Sequence, residues 1–72
     1  MEAHFALLSR FRLLPKRGID PGWISWSVGS HIVSLEHFDP DRPVPSGADT
    51  AYLSIEDYYR ITTLIANAEA CR

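Results

Sequence analysis

A single cysteine, Cys71, leaves no partner for an intrachain disulfide, so the fold has to be held by packing alone, as suits a reducing compartment. Long apolar runs are missing as well. Nothing approaches the roughly 18 residues that a membrane span needs, and the opening MEAHFALLSRF lacks the basic start and apolar stretch of a secretory signal. Together these absences give the expectation of a cytoplasmic protein. The four glycines, at positions 18, 22, 29 and 47, are scattered, which excludes a phosphate-cradling loop or a dinucleotide fingerprint. Metal-ligand spacing is absent too. There is no Cys-x-x-Cys or closely spaced His pair, and His31 and His37 fall at opposite ends of one expected strand, about 20 Å apart at strand rise. His4, His37 and Cys71 could meet only through fold closure. No Gly-x-Ser-x-Gly elbow appears, and Gly29-Ser30-His31 reads as a turn rather than a nucleophile site. Neither an enzyme, nor a metal, nor a cofactor is expected.

With 72 residues there is room for one domain, residues 1–72, and a chain this short buries only about 60% of the surface it exposes when unfolded. A hydrophobic content of 46% is still ample for a core. Association into a homodimer is one way for so small a chain to bury more. The net charge of −2 gives no global attraction to nucleic acid or an anionic membrane. Its distribution is uneven, with Arg10, Arg12, Lys16 and Arg17 grouped early and Glu36, Asp39, Asp41, Asp49, Glu56 and Asp57 making the second half acidic.

The fold class expected from the pattern is α+β. Over residues 2–14, Leu7, Leu8, Phe11 and Leu14 line one side of a helix, while Phe5, Leu7, Phe11 and Leu13 alternating with Arg10 and Arg12 fit a strand almost as well. Helix is favoured because Ala and Leu dominate, with Pro15 as its end. Trp23 to Phe38 reads as a β-hairpin with Gly29-Ser30 as a two-residue loop, since Gly takes a positive φ without penalty. That register sets Trp26 opposite Val33 and Trp23 opposite Glu36. Ile24, Trp26, Val28, Val33 and Leu35 then share an apolar face, and Ser25, Ser27, Ser34 and Glu36 share the other with Trp23 and Ile32. Residues 39–50, with three prolines, read as an extended loop; its Pro40-x-x-Pro43 is a stiff connector before it is a ligand motif. Ala51 to Leu53 suggests a short third strand. A helix over 54–70 follows, with Ser54 as N-cap, Asp57 at N3, and Leu53 and Tyr58 as a hydrophobic staple. Its apolar stripe, Ile55, Tyr58, Ile61, Leu64, Ile65 and Ala68, is expected to cover the hairpin.

Function is far less legible than fold. Two large apolar groups, Trp23 and Ile32, stand on a face otherwise made of serine and glutamate, and Trp is enriched among residues that carry interface energy. With Glu36 nearby, and Tyr59 and Arg60 facing out from the last helix, they form the expected partner-binding set. The leading expectation is therefore a non-enzymatic protein-interaction module, a regulator or inhibitor of the bacterial or phage accessory type, that occludes a surface of a larger protein. The alternative assigns Arg10, Arg12, Lys16 and Arg17 to phosphates or an acidic partner. Leu53, Ser54 and Tyr58, with Arg60 following and Ala51-Tyr52 before, resemble the strand-to-helix phrase of Phd/YefM-type antitoxins. That resemblance implies a nucleic-acid-binding, antitoxin-like regulator. A third expectation is a homodimeric module with Trp23 and Ile32 buried across a two-fold axis.

Overall fold

The N-terminal segment satisfies both of its competing patterns in turn. In the computed structural model, which describes residues 2–29, 31–38 and 44–71, helix α1 spans Glu2–Leu8 and strand β1 spans Arg12–Pro15. The single helix expected over 2–14 is thus a short helix and a strand. The switch is made by tight turns: Arg10 N–H donates to Leu7 C=O at 3.1 Å and Phe11 N–H to Leu8 C=O at 3.1 Å. Arg12 N–H then donates to Asp49 C=O at 3.1 Å, and the chain enters a sheet. Pro15 ends the strand rather than a helix. Lys16 N–H bonds Leu53 C=O at 2.9 Å, so the alternate position, Pro15, faces the open side of an edge strand, where a missing N–H costs nothing.

Strands β2 (Trp23–Trp26), β3 (Ile32–Ser34) and β4 (Thr50–Leu53) complete a four-stranded mixed sheet in the order β1-β4-β2-β3. The strand anticipated at 51–53 is one of its two central members. β4 runs parallel to β1, with Leu14 beside Tyr52, and antiparallel to β2, with Ser25 beside Tyr52. The β2–β3 hairpin forms as expected, but its register is two residues off. Trp23 pairs with Ser34, Ile24 with Val33 and Ser25 with Ile32, and Trp26 N–H reaches the His31 carbonyl at 3.2 Å. Gly29 keeps its positive φ, 69°; Ser30, the other half of the expected loop, lies outside the described residues. An even shift returns every side chain to its own face, so the two-face assignment stands although the pairs differ.

Helix α2, Ile55–Ala70, starts where the capping signal places it: Ser54 Oγ accepts the Asp57 N–H at 3.1 Å. It packs on β1 and β4, and α1 packs on α2, rather than over the hairpin. The core accordingly gathers Leu8, Ile24, Trp26, Phe38, Ala51, Leu53 and Ile61, all buried. Trp26 meets Phe11 edge to face at 4.9 Å between ring centres and Phe38 at 6.0 Å. Val28 and Val33, expected in the core, are 39% and 37% exposed because β3 lies at the sheet edge away from the helix. On α2 the inward residues are Tyr58, Ile61 and Ile65, while Ile55 and Leu64 of the expected stripe face out at 46% and 40%. Asp57, seen in the sequence only as a cap, is 3% exposed.

Candidate interaction surface

Period-two alternation sends Leu13, Ala51, Leu53, Ile24 and Trp26 toward the helices, and so presents Arg12, Leu14, Tyr52, Thr50, Trp23, Ser25, Ile32 and Ser34 on the opposite face. Leu14, Tyr52, Ser25 and Ile32 form one row across all four strands. Trp23 stands one step along β2, diagonal to Tyr52, a relation that puts Cβ atoms about 7–8 Å apart, within reach of aromatic side chains. The helices contribute to the other side, and this face is open around β2 and β3: Trp23 is 43% exposed and Ile32 58%, with Leu14 and Tyr52 half-buried and Thr50 buried. It carries the two most exposed large apolar residues of the strands, Trp23 and Ile32, which the sequence also places on one face.

The basic residues resolve into two kinds. Arg12 and Lys16 continue the open face along β1, and the Lys16 ammonium sits over the Tyr52 ring at 4.9 Å from its centre, a cation–π contact. Arg10 and Arg17 are exposed in the turns on either side of β1. No acidic residue occupies a strand position on this face. Asp49, next to Arg12, is engaged locally: Thr50 Oγ1 donates to it at 2.9 Å and Ser27 Oγ at 3.1 Å, and Ser27 Oγ in turn accepts the Asp49 N–H at 3.3 Å. The Thr50 hydroxyl above all, then that of Ser27, with smaller help from its own backbone amide and the Arg12 charge, holds the Asp49 carboxyl below its ordinary range. A depressed carboxyl stabilises the fold fully above the unfolded value of about 3.9 and loses that contribution as pH falls through the folded value. Asp49→Ala is thus expected to lower the urea midpoint at pH 7, with the gap from wild type closing below about pH 4; a gap constant at all pH values would contradict this.

The remaining expected site residues lie elsewhere. Tyr59, 64% exposed, and Arg60 belong to the first turns of α2, next to Asp57, whose carboxylate reaches the Gly22 N–H just before Trp23. Arg60 is tied to Asp57 at 2.9 Å, and the Tyr59 ring packs edge-on against Tyr58 at 5.4 Å. Glu36 is in the turn after β3, and Ser34 takes the place opposite Trp23 assigned to it. Of the five expected partner-binding residues, Trp23 and Ile32 share the open face of the sheet, and the other three lie in the turn after β3 or on α2. Leu14 and Tyr52, which do join Trp23 and Ile32, escaped the sequence reading; Tyr52 was detectable as the position between Ala51 and Leu53 that alternation turns away from the core.

An open trough of about 580 Å³ runs between α1 and α2, lined by Phe5, Leu64, Ile65 and Ala68 among others, with no convergent set of polar groups to orient a ligand. Among the described residues no cluster of three His, Cys, Asp or Glu side chains is placed to hold a metal ion, and no helix is long and apolar enough to cross a membrane. Residues 40–43, with their proline pair, lie outside the described residues. No protein-family model, curated protein or solved structure matches this chain. The antitoxin-like phrase from Leu53 to Arg60 has a local account in the Ser54 cap and the Asp57–Arg60 pair.

Proposed function

We propose that this chain is a small non-enzymatic interaction module of the cytoplasm, a regulator or inhibitor that lays the open face of its sheet on a larger partner and occludes it. The observation that carries this reading is the row from Leu14 through Tyr52 to Ile32 with Trp23 beside it, an aromatic and aliphatic face left bare by both helices. Such a face costs a small domain solubility, and a partner that covers it recovers the burial. Trp23 is the anchor because a half-exposed indole brings the largest apolar area to a contact.

The test compares affinity captures from the native host with wild-type, Trp23→Ala and Tyr59→Ala baits. Truncating an interface anchor costs about 2 kcal/mol or more, roughly a thirtyfold loss of affinity. A partner held by wild type should therefore be lost with Trp23→Ala and kept with Tyr59→Ala. Loss with Tyr59→Ala alone would move the interface to α2 and overturn the reading.

A further inference from the structure

Resting on the reading of the open face as the docking face, we infer that its partner is single-stranded nucleic acid, with bases stacked on Trp23 and Tyr52 and phosphates held by Arg12 and Lys16. Four observations converge. The two exposed-face aromatics belong to the two central strands, β2 and β4, so they form a rigid platform rather than a loop. They are diagonal neighbours, a spacing that suits two consecutive unstacked bases. The cations lie along one edge of that platform, from β1 and its flank; the Lys16 ammonium now covers the Tyr52 ring and has to swing onto a phosphate for a base to stack there. Finally, the strand positions of the face carry one cation, Arg12, continued by Lys16 just beyond β1, and no acid, although the chain as a whole is acidic.

The acidic charge is spread over several segments, with Asp20 exposed in the loop before β2 and Glu36 in the turn after β3, while the four early cations are grouped along β1 and its flanks. Glu56, Asp57 and Glu69 are carried by α2, while Asp49 stays an ionised, exposed carboxylate held by the Thr50 and Ser27 hydroxyls beside Arg12, a charge that a phosphate at Arg12 has to compete with. A phosphate backbone following β1 would meet Arg10, Arg12, Lys16 and Arg17 in succession, since the turns at both ends of the strand expose the outer pair. Duplex DNA offers no such fit. Its bases are stacked on one another, and a flat, three- to four-residue-strand sheet cannot reach their faces, whereas a single strand presents a π-face at every base. Ile32 and Leu14 extend the platform at either edge with apolar surface for the flanking bases.

The experiment titrates the full chain with fluorescein-labelled oligothymidylate and oligouridylate of about twelve nucleotides, within the range of about 4–16 that a small single-strand-binding fold covers. Anisotropy reports binding, and tryptophan emission reports stacking, because Trp26 is buried and Trp23 is the indole that a base can quench. Expected at low salt is a dissociation constant tighter than about 10⁻⁴ M, with emission quenched, and weaker binding to a duplex of the same length. Trp23→Ala should weaken binding by about tenfold or more. Arg12→Ala with Lys16→Ala should reduce the log–log salt slope by about 1.4, at about 0.7 per single-strand phosphate contact. The two oligonucleotides separate DNA from RNA as the source of the strand.

No binding at low salt overturns the inference, as does binding that Trp23→Ala leaves unchanged or that polyglutamate displaces as well as unlabelled oligonucleotide does. If oligonucleotides fail while host capture of a protein depends on Trp23, the partner is a protein: the inference falls and the open-face reading stands. If both fail, both fall. Circular dichroism checks each variant for folding, and the β1 double variant, altered only at exposed side chains, keeps the test decisive should Trp23→Ala not fold.

Discussion

Replacing Trp26 with alanine should remove about 3–5 kcal/mol of stability, the range for deleting a buried large aromatic, and should shift the urea midpoint toward zero. Marginal stability of about 0.05–0.15 kcal/mol per residue makes that loss a large part of the whole for so short a chain. The physical reason is the position of the indole. It is 3% exposed and touches Phe11 from the turn after α1 and Phe38 from the segment after β3, so it joins pieces of chain that the sheet hydrogen bonds do not connect. Truncation leaves a cavity among three segments, none of which can collapse into it without moving a strand. Trp23, on the same strand but on the opposite face and 43% exposed, provides the control: its alanine variant should lose less than about 1 kcal/mol. Equal losses for the two variants would mean that the open face is covered in solution.

The second large effect is expected from Asp57→Ala, at about 2–3 kcal/mol, or roughly 10–20 °C in Tm for a domain of this size. The carboxylate is buried, and its Oδ2 accepts the Gly22 N–H at 2.6 Å, while Gly22 C=O accepts the Leu35 N–H at 2.7 Å. One glycine in a turn thus fastens the start of α2 to the chain entering β2 and to the end of β3. Gly22 adopts φ 92°, a conformation that suits glycine and aims its N–H at the carboxylate. Removing the acid strands that donor and withdraws a negative charge from the helix N-terminus. Asp57→Asn, which keeps an acceptor for Gly22, should fall between. Arg60→Ala should cost less than about 0.5 kcal/mol, since the guanidinium side of the pair is 60% exposed. Thermal melts of the three variants separate the hydrogen bond from the ion pair; an Arg60→Ala loss as large as that of Asp57→Ala would refute the assignment.

What could be read from the sequence was what is local. The Ser54 cap, the acidic first turn of α2 and the two faces of the hairpin are written in neighbouring residues, and the structure has each of them. The hairpin register was misread because a glycine announces a positive φ without saying which loop position will use it. The N-terminal segment was ambiguous for a deeper reason. Phe5 to Leu14 matches both periods, and what makes Arg12–Pro15 a strand is β4, the parallel neighbour supplied from late in the chain. No pattern within the segment encodes that pairing. The same gap hid the candidate surface: Arg12, Lys16 and Trp23 were visible one by one, but only the placement of β4 between β1 and β2 brings them around Tyr52.

That central placement also sets when the protein can fold. β1 and the β2–β3 hairpin share no ladder; each is hydrogen-bonded to β4, the last strand in chain order. During synthesis the early helix, the first strand and the hairpin must therefore wait as separate pieces, each too small to bury its own apolar face. Closure comes when Thr50 to Leu53 leaves the ribosome and slots between them, and the long-range contacts that form at that moment favour a slow, all-or-none step over gradual assembly. Until then Trp26 has only its early partners Phe11 and Phe38, and Ala51, Leu53 and Ile61, the rest of the core around it, are still to arrive.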